Sequence, residues 1–210
     1  ALMFLILGAL GAYLIGSIPT AYIFGKVLKG IDIRQHGSGN VGATNVFRTL
    51  GKGPGFAVLF LDIIKGIVPV VFLADLLSLH TPTERIVLAL CAVCGHNWTI
   101  FLQFKGGKGI ATSLGVLIGF TISVPEVRPV LFWVLLIWLV FFLSTSIVSI
   151  ASIIAAICLP ILMILTGQSF EIIGLGVIFS IFVTIRHKTN IRRLLDGTEN
   201  RVPLPWNKKS

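Results

Sequence analysis

A glycine-rich segment near the N-terminus combines small residues with neutral hydrogen-bond donors and one arginine. This first motif reads HGSGNVGATNVFR over residues 36–48. Small residues allow backbone N–H groups to converge on an anion, and arginine adds a planar fork suited to phosphate. The motif therefore predicts a phosphate-binding loop with these candidate ligands: Ser38, Gly39, Asn40, Gly42, Asn45 and Arg48.

Two other interpretations of the first motif compete with a phosphate loop. Residues 37–42 match the GxGxxG pattern of dinucleotide-binding folds, but an uncharged apolar run precedes them, and no βαβ unit can be built around them. Asp62 has the spacing of a ribose-binding acid, yet it lies within an apolar segment. An incidental glycine cluster in a flexible loop is the other alternative, and the combination of glycine, asparagine and a cation disfavours it.

A second motif, Lys105-Gly106-Gly107-Lys108-Gly109, opens a later apolar run. It resembles a P-loop but has neither the GxxxxGK spacing nor the Ser or Thr that follows the lysine. Two lysines and three glycines at a helix N-terminus nevertheless suit a phosphate group. We predict that Gly107 and Lys108 contact a ligand, whereas Lys105 only anchors the segment at the membrane face.

The third motif is a basic segment near the C-terminus, residues 186–199. His187 and Asn190 are three residues apart and share one face if the segment is helical, as do Asn190 and Arg193. Histidine titrates near neutral pH and serves as a base or as a phosphate donor. His187 and Asn190 are therefore candidate site residues, whereas Lys188 and Arg192 are expected to act only as orientation signals.

The elements that position these motifs are predicted to be membrane helices. Of the 210 residues, 55% are hydrophobic and 12% are charged, and the mean hydropathy is +0.98. Residues 1–25, 86–104 and 129–170 carry no charge, and a helix needs roughly 20 apolar residues to cross a bilayer core. The sequence thus predicts an all-α fold, a polytopic membrane helix bundle formed by a single domain, 1–210.

We expect about seven transmembrane helices. The first four cover about residues 2–25, 54–77, 86–104 and 110–124. The apolar run of 42 residues that starts at residue 129 is too long for one span and divides at residues 144–146, and the seventh span ends near residue 185. Five or six spans are the alternatives, if a short apolar piece is re-entrant.

The distribution of charge supports seven spans. With that count, fourteen of the 17 Lys and Arg residues lie on one side of the membrane. The positive-inside rule then makes this side cytoplasmic, with the N-terminus external and the C-terminus cytoplasmic. The net charge of +9 is thereby explained by topology and by anionic lipid headgroups, and no nucleic acid is expected as a partner.

Two pairs of neighbouring polar residues within the second and third apolar segments need an explanation. Asp62 and Lys65, at positions i and i+3, are expected to pair with each other or to support the first motif, because ionised groups are costly in a membrane. His96 and Asn97 are expected to form a buried hydrogen-bonding pair, and a direct catalytic role is the less favoured alternative.

Together the three motifs resemble those of bacterial acyl-phosphate:glycerol-3-phosphate acyltransferases. The matching patterns are GSGNxGATNxxR, GGKG and RHxxNIxRLxxGxE, in this order and over essentially the whole chain. The resemblance implies a seven-helix membrane fold without metal, cofactor or coenzyme A. It implies transfer of a fatty acyl group from acyl phosphate to the sn-1 hydroxyl of glycerol 3-phosphate. The products would be 1-acylglycerol 3-phosphate (lysophosphatidate) and phosphate, in the first step of phospholipid biosynthesis.

The resemblance also implies roles for individual residues. The matching positions are Ser38, Arg48, Lys108, His187, Asn190 and Glu199. The serine, the histidine and the asparagine are expected to act in catalysis, and the arginine and the lysine to bind phosphate. Glu199 is expected to be a structural support, as are Asp62 and Lys65.

A location and partners follow from the same resemblance. The chain would be a multi-pass protein of the bacterial inner (plasma) membrane, with its active site on the cytoplasmic face. Its partners would be glycerol 3-phosphate, acyl phosphate, membrane lipid and the soluble enzyme that supplies acyl phosphate.

Some alternatives stay open at the level of sequence. No HxxxxD pattern occurs in the chain, which argues against the dyad of acyl-CoA-dependent acyltransferases, so the proton acceptor is either His187 or a substrate phosphate. A phosphate or organic-anion transporter would place its ligands near the membrane midplane in broken helices. A lipid-scrambling protein would need none of the three motifs. Cations clustered at one face favour an enzyme that acts on a cytosolic substrate.

Overall fold

The part of the chain that the structure describes is helical. The structure is a computed structural model that describes residues 2–203, and every regular element in this range is a helix. The all-α prediction is therefore confirmed for these residues. The predicted basic tail includes Lys208 and Lys209, which lie outside the described residues. The chain packs as two compact units, Ala1–Pro125 and Glu126–Ser210.

Between residues 2 and 203, five helical segments are long and apolar enough to cross a membrane: Leu2–Lys29, Lys52–Leu76, Pro82–Leu102, Pro125–Thr145 and Val148–Leu165. A sixth, Phe170–Arg186 with Lys188–Leu195, is bent by 58°. The predicted fourth span is a helix of 14 residues, Ile110–Ser123. At 1.5 Å per residue it is about 21 Å long, shorter than a bilayer core of about 30 Å. The structure thus supports five or six spans, and the count of seven stays a prediction.

The first unit contains seven α-helices among its described residues. They are α1 (Leu2–Ser17), α2 (Thr20–Lys29), α3 (Ala43–Thr49), α4 (Lys52–Val68), α5 (Ala74–Leu76), α6 (Pro82–Asn97) and α7 (Ile110–Ser123). A π-helical turn, Pro69–Leu73, joins α4 to α5. Ile18 and Pro19 separate α1 from α2, so the predicted first span contains a break.

Glycines bring the long helices of this unit into backbone contact. Helix α1 packs on α6, and α4 packs on α7. A Cβ atom on Gly16 would collide with the Ala92 carbonyl group, and a Cβ atom on Gly66 would collide with the Thr112 carbonyl group. Small residues at helix interfaces are typical of membrane proteins, because lipid provides no hydrophobic force that drives helices together. These two helix pairs form the frame that carries the first and second motifs.

An arginine ties the N-terminal end of α6 to the π-helical turn. The Arg85 guanidinium donates to the Val70 carbonyl oxygen and to the Asp75 carboxylate, both at 2.5 Å. The Val70 carbonyl lies in the π-helical turn, where the regular helical bonding is interrupted. Arg85 therefore satisfies a backbone group that the irregular turn exposes, at the end of α6 remote from the second motif.

The second unit contains α8 (Arg128–Thr145), α9 (Val148–Leu165), α10 (Phe170–Arg186) and α11 (Lys188–Leu195). Ser146, with φ of 61°, separates α8 from α9, which confirms the predicted division of the long apolar run. Helix α9 packs on both α8 and α10. The chain after α11 returns to this unit, where the Val202 N–H donates to the Ser146 carbonyl oxygen at 2.8 Å.

Candidate active site

Asn45, in the first turn of α3, holds the first motif together. Its side-chain Nδ2 donates to the carbonyl oxygens of Ile33, His36 and Asn40 at 3.0–3.1 Å. Its Oδ1 accepts the Ser38 N–H at 2.9 Å, and the residue is fully buried. One amide therefore binds four backbone groups of the loop. This geometry contradicts the flexible-loop alternative, and it fits a positioning role for Asn45 better than the predicted contact with phosphate.

Two glycines of the first motif have a conformation that side chains disfavour. Gly37 has φ of 60° and Gly39 has φ of 70°, in the left-handed region that glycine adopts without steric cost. A Cβ atom on Gly37 would collide with the Asn45 side chain, and one on Gly39 would lie 2.9 Å from the Arg34 carbonyl oxygen. These glycines are therefore required by the turn itself.

An ion pair neutralises one of the cations that precede the first motif. The Arg34 guanidinium contacts the Asp32 carboxylate at 2.7 Å. Hydrogen bonding from the Arg34 side chain lowers the pKa of Asp32 to about 2. The same guanidinium lies 5.3 Å from the centre of the Tyr22 ring. Arg34 thus belongs to the scaffold of the loop, whereas Arg48, in the last turn of α3, is exposed.

The second motif packs on the C-terminal end of α6 and against the first motif. The Gly106 N–H donates to the Asn97 carbonyl oxygen at 3.2 Å, and the Gly107 N–H donates to the His96 carbonyl oxygen at 3.0 Å. A Cβ atom on Gly107 would lie 2.6 Å from the Val41 carbonyl oxygen. The first two motifs therefore touch within the first unit. Of the two lysines, Lys108 is half-buried and Lys105 is exposed.

The predicted intramembrane ion pair is present. The Lys65 Nζ lies 2.8 Å from the Asp62 Oδ1, and both residues are buried. The Thr20 hydroxyl also donates to Asp62 at 2.6 Å, and Lys65 donates to the Ile18 carbonyl oxygen at 2.9 Å. The pair therefore joins α4 to the break between α1 and α2, which satisfies a backbone group that the break leaves open.

The predicted hydrogen bond between His96 and Asn97 is wrong. Both residues are buried, but neither side-chain atom of the Asn97 amide has a hydrogen-bond partner among the described residues. The physical reason is that the backbone carbonyl oxygens of His96 and Asn97, rather than their side chains, accept hydrogen bonds from the second motif. The His96 Nδ1 instead faces the Asp62 Oδ1 at 3.9 Å.

The third motif forms a polar cluster around Glu199 in the second unit. The Asn190 Nδ2 donates to Glu199 Oε1 at 2.8 Å, and the Arg193 Nε donates to Glu199 Oε2 at 2.7 Å. The predicted common face of Asn190 and Arg193 is therefore confirmed. The Ser149 hydroxyl, from α9, donates to the same carboxylate at 3.2 Å. Burial would raise the pKa of Glu199, but hydrogen bonds from Arg193 and Asn190 outweigh it and lower this pKa below its usual range.

His187 lies at the bend between α10 and α11 and is buried. Its Nδ1 is 2.8 Å from the Val183 carbonyl oxygen. A carbonyl oxygen can only accept a hydrogen bond, so Nδ1 carries the proton in the neutral ring. The lone pair of the neutral imidazole then resides on Nε2, which is the nitrogen able to accept a proton.

The structure thus brings the first and second motifs together in one unit, and Asn190 and Glu199 together in the other, where His187 lies three residues before Asn190 at the start of α11. Sequence reasoning did not predict the parts of Thr20 and Ser149, because a hydroxyl in an apolar helix carries no distinguishing pattern. No group of three or more His, Cys, Asp or Glu side chains suited to a metal ion occurs in the described residues.

Comparison with known proteins agrees with these motifs. The family model described as glycerol-3-phosphate acyltransferase matches residues 6–197. Two proteins named glycerol-3-phosphate acyltransferase, from Fusobacterium nucleatum and Synechococcus sp., are 44% and 43% identical to the chain. These alignments cover 90% of this chain and 93% of the Fusobacterium protein, and 96% of this chain and 95% of the Synechococcus protein.

A solved structure resembles the whole fold. It is a crystal structure of PlsY (YgiH), an integral membrane glycerol 3-phosphate acyltransferase, in its glycerol 3-phosphate form. The match has a TM-score of 0.85 and 38% identity, and it covers 95% of this chain and 96% of the other. A second structure of PlsY, in its lysophosphatidic acid form, matches with a TM-score of 0.82 and 37% identity over 95% of each chain. The motifs, the helical membrane fold and these relatives lead to one conclusion: the chain belongs to the glycerol-3-phosphate acyltransferase family.

Proposed function

We propose that this protein transfers a fatty acyl group from acyl phosphate to the sn-1 hydroxyl of glycerol 3-phosphate. The products are lysophosphatidate and inorganic phosphate, and the reaction is the first step of phospholipid biosynthesis. Family membership supports an acyltransferase that acts on glycerol 3-phosphate. The absence of an HxxxxD pattern from the sequence supports acyl phosphate, rather than acyl-CoA, as the donor.

The observation that carries the proposal is the contact between the first two motifs. Gly107 lies directly against the Val41 carbonyl group, so the two glycine-rich segments share one surface. Both substrates bear a phosphate group, and a single loop offers too few donors for two dianions. Two adjoining loops with Ser38, Arg48 and Lys108 supply cations and oriented amides for both.

The proposed reaction forms one carbon–oxygen bond, breaks another and moves one proton. The sn-1 oxygen bonds to the carbonyl carbon of the acyl phosphate, and the bond from that carbon to the phosphate oxygen breaks. Negative charge develops on the carbonyl oxygen and on the departing phosphate, and donors aimed at these positions lower the barrier. Ser38 and Asn190 are the neutral donors proposed for this stabilisation, and Arg48 and Lys108 neutralise the phosphate groups.

The proton of the hydroxyl group has two proposed acceptors. One is His187 Nε2, whose lone pair follows from the contact of Nδ1 with the Val183 carbonyl. The other is an oxygen of the donor's own phosphate. A His187→Gln variant separates them: loss of a general base lowers kcat by roughly 10²–10⁴-fold. A change in KM with kcat nearly unchanged would assign the proton to the substrate phosphate.

The proposed topology places this chemistry at the cytoplasmic rim. The single membrane domain would have seven spans, an external N-terminus and a cytoplasmic C-terminus in the inner membrane. Cysteine labelling from each side tests this in intact cells, since cysteines at the exposed positions Gln35 and Lys188, beside the first motif and in the third, must be accessible from the same face. Labelling of the two positions from opposite faces would refute the topology.

The activity is tested with purified protein in lipid vesicles. Labelled glycerol 3-phosphate is supplied with either palmitoyl phosphate or palmitoyl-CoA, and lysophosphatidate is measured. We expect product with the acyl phosphate only. Product only with the CoA ester would refute the donor, and no product with either would refute the reaction.

Two lysines of the second motif provide a matched pair for the site. Lys108 is half-buried and Lys105 is exposed. We expect Lys108→Ala to abolish most of the activity and Lys105→Ala to retain it. Equal activity in the two variants would remove Lys108 from the proposed site. Ser38→Ala and Arg48→Ala should also lose most of their activity.

A further inference from the structure

Four buried polar groups meet where α4 and α6 approach the break between α1 and α2. The Asp62 carboxylate receives hydrogen bonds from Thr20 at 2.6 Å and from Lys65 at 2.8 Å. Lys65 also reaches the Ile18 carbonyl oxygen at 2.9 Å, and the His96 ring faces Asp62 at 3.9 Å. Burying an ion pair among apolar helices is costly. A pair that is nevertheless present, and that joins three helices, invites a functional explanation.

His96 is the member of this cluster that touches the second motif. A Cβ atom on Gly107 would collide with the His96 Nε2, so the ring lies directly against the backbone of Gly107. The carbonyl oxygen of the same histidine accepts the Gly107 N–H at 3.0 Å. One residue therefore contacts Gly107 with both its ring and its backbone. The opposite edge of the ring faces the Asp62–Lys65 pair.

The contact continues from Gly107 to the first motif. Gly107 lies against the Val41 carbonyl group. One cavity is lined by residues of the buried polar cluster, of the first motif and of the second motif. Its lining includes Ser17, Lys65, Val41, His96, Gly106 and Gly107. The two motifs therefore rest on a common buried support, on the side of the glycines that faces the helices.

We propose that His96 is a positioning residue for the phosphate-binding surface. Its ring lies between the Asp62–Lys65 pair and Gly107. The ring therefore fixes the position of Gly107, and Gly107 in turn fixes the position of Val41. The inference rests on the proposed function of the first two motifs as phosphate ligands. The Gly107 N–H already donates to the His96 carbonyl oxygen, so Gly107 acts here as a fixed support for the neighbouring residues of the two motifs. Donors on those residues bind an anion well only if their directions are fixed beforehand, because otherwise the ordering cost is deducted from the affinity. A misplacement of about 1 Å can cost on the order of 10²-fold in rate.

A purely stabilising ion pair would have a different signature, and the chain offers a matched control. Arg85 and Asp75 form a second ion pair on α6 and α5, and Arg85 is buried. Arg85 and His96 are 11 residues apart on α6, which corresponds to about 16 Å along the helix axis. Removal of Arg85 therefore tests the loss of a buried ionic group without disturbing Gly107.

The experiment compares His96→Leu, His96→Gln and Arg85→Met in lipid vesicles. The measurements are the thermal unfolding midpoint, kcat and KM for each substrate, and calorimetric binding of glycerol 3-phosphate without acyl donor. We expect His96→Leu to raise KM and to weaken glycerol 3-phosphate binding by about tenfold or more. His96→Gln, which keeps a donor and an acceptor, should recover most of that loss. Arg85→Met should lower the midpoint and leave KM and binding unchanged.

Several results would overturn the inference. One is an unchanged KM in folded His96→Leu, and another is a His96→Gln variant that folds but binds no better than His96→Leu. If His96→Leu does not fold, the isosteric Thr20→Val must still raise KM more than Arg85→Met does; otherwise the inference fails. Failure of the proposed function would give a different result, because wild-type protein would then form no lysophosphatidate. In that case, calorimetric binding of inorganic phosphate would still show whether His96→Leu binds more weakly than Arg85→Met.

Discussion

Replacement of Asn45 by alanine tests whether this residue positions the first motif or binds the substrate. The substitution removes three donated contacts of 3.0–3.1 Å and one accepted contact of 2.9 Å. An amide nitrogen has only two protons, so about three independent hydrogen bonds are lost. At a net value of about 1 kcal/mol each, the ordered loop should lose about 3 kcal/mol relative to open conformations.

This loss translates into two measurable quantities. A loop that is destabilised by about 3 kcal/mol has its ordered population reduced by up to roughly 150-fold, and apparent affinity falls with that population. Because the native loop starts with a reserve of stability, we expect kcat/KM to fall between about 10-fold and 100-fold. Amide hydrogen exchange of residues 33–42 should accelerate by up to roughly 150-fold, because exchange reports the opening equilibrium of the loop directly and the reserve of stability does not buffer it.

Two further variants make the test decisive. Thr49→Val removes the hydroxyl that donates to the Asn45 carbonyl oxygen at 2.8 Å, a contact within α3 that adds little, and it should behave like wild type. Asn45→Asp keeps the acceptor for the Ser38 N–H but turns a carboxylate oxygen towards three carbonyl oxygens, so it should be no better than alanine. The reasoning is wrong if Asn45→Ala loses affinity while exchange across the loop stays at the wild-type rate. That result would restore Asn45 as a direct ligand.

Three other substitutions follow from the same geometry. Gly107→Ala should lose nearly all activity, because its methyl group would lie 2.6 Å from the Val41 oxygen. Gly53→Ala should retain activity, because nothing lies within 4 Å of the added methyl group. Equal rates of the two variants in vesicle assays would contradict the contact. Glu199→Gln should lower kcat/KM more than Arg192→Gln, since only Glu199 holds Asn190 and Arg193. Asp32→Asn should lower the free energy of unfolding at pH 7. The pKa of Asp32 is about 2 in the folded protein against an ordinary 3.8, so its ionised carboxylate stabilises the fold above about pH 4. The difference in free energy of unfolding between variant and wild type should therefore vanish as the pH falls through the folded pKa. A constant difference down to pH 2 would show that the charge of Asp32 is irrelevant.

The sequence alone predicted the helical class and the grouping of polar segments, because both depend on local composition. Uncharged runs identify membrane helices without any knowledge of their packing. The division of the apolar run near Ser146 was predictable for the same reason. The pairing of Asp62 with Lys65 was also predictable, since the two lie three residues apart on one helix.

The role of individual side chains was less predictable, because it depends on which backbone groups need partners after folding. Asn45 has the composition of a ligand, yet its amide is used by four groups of its own loop. Asn97 and His96 were expected to bond to each other, yet it is their carbonyl oxygens that bind the second motif. A pattern of residue types cannot distinguish a donor that faces a ligand from one that faces an irregular backbone.

Two carboxylates beside the motifs are held in ion pairs, and this bears on the proposed binding of phosphate. Asp32 precedes the first motif and pairs with Arg34, and Glu199 ends the third motif and pairs with Arg193. Asp196, the other acidic residue of the third motif, is exposed to solvent, where its charge is screened. A free carboxylate beside either motif would repel a phosphate dianion, and the repulsion would be strong where lipid and protein lower the dielectric constant. Because dedicated arginines neutralise these two charges, the remaining cations of the motifs are not opposed by them. If the motifs bind phosphate as proposed, these two ion pairs favour that binding indirectly, by removing negative charge that would otherwise oppose it.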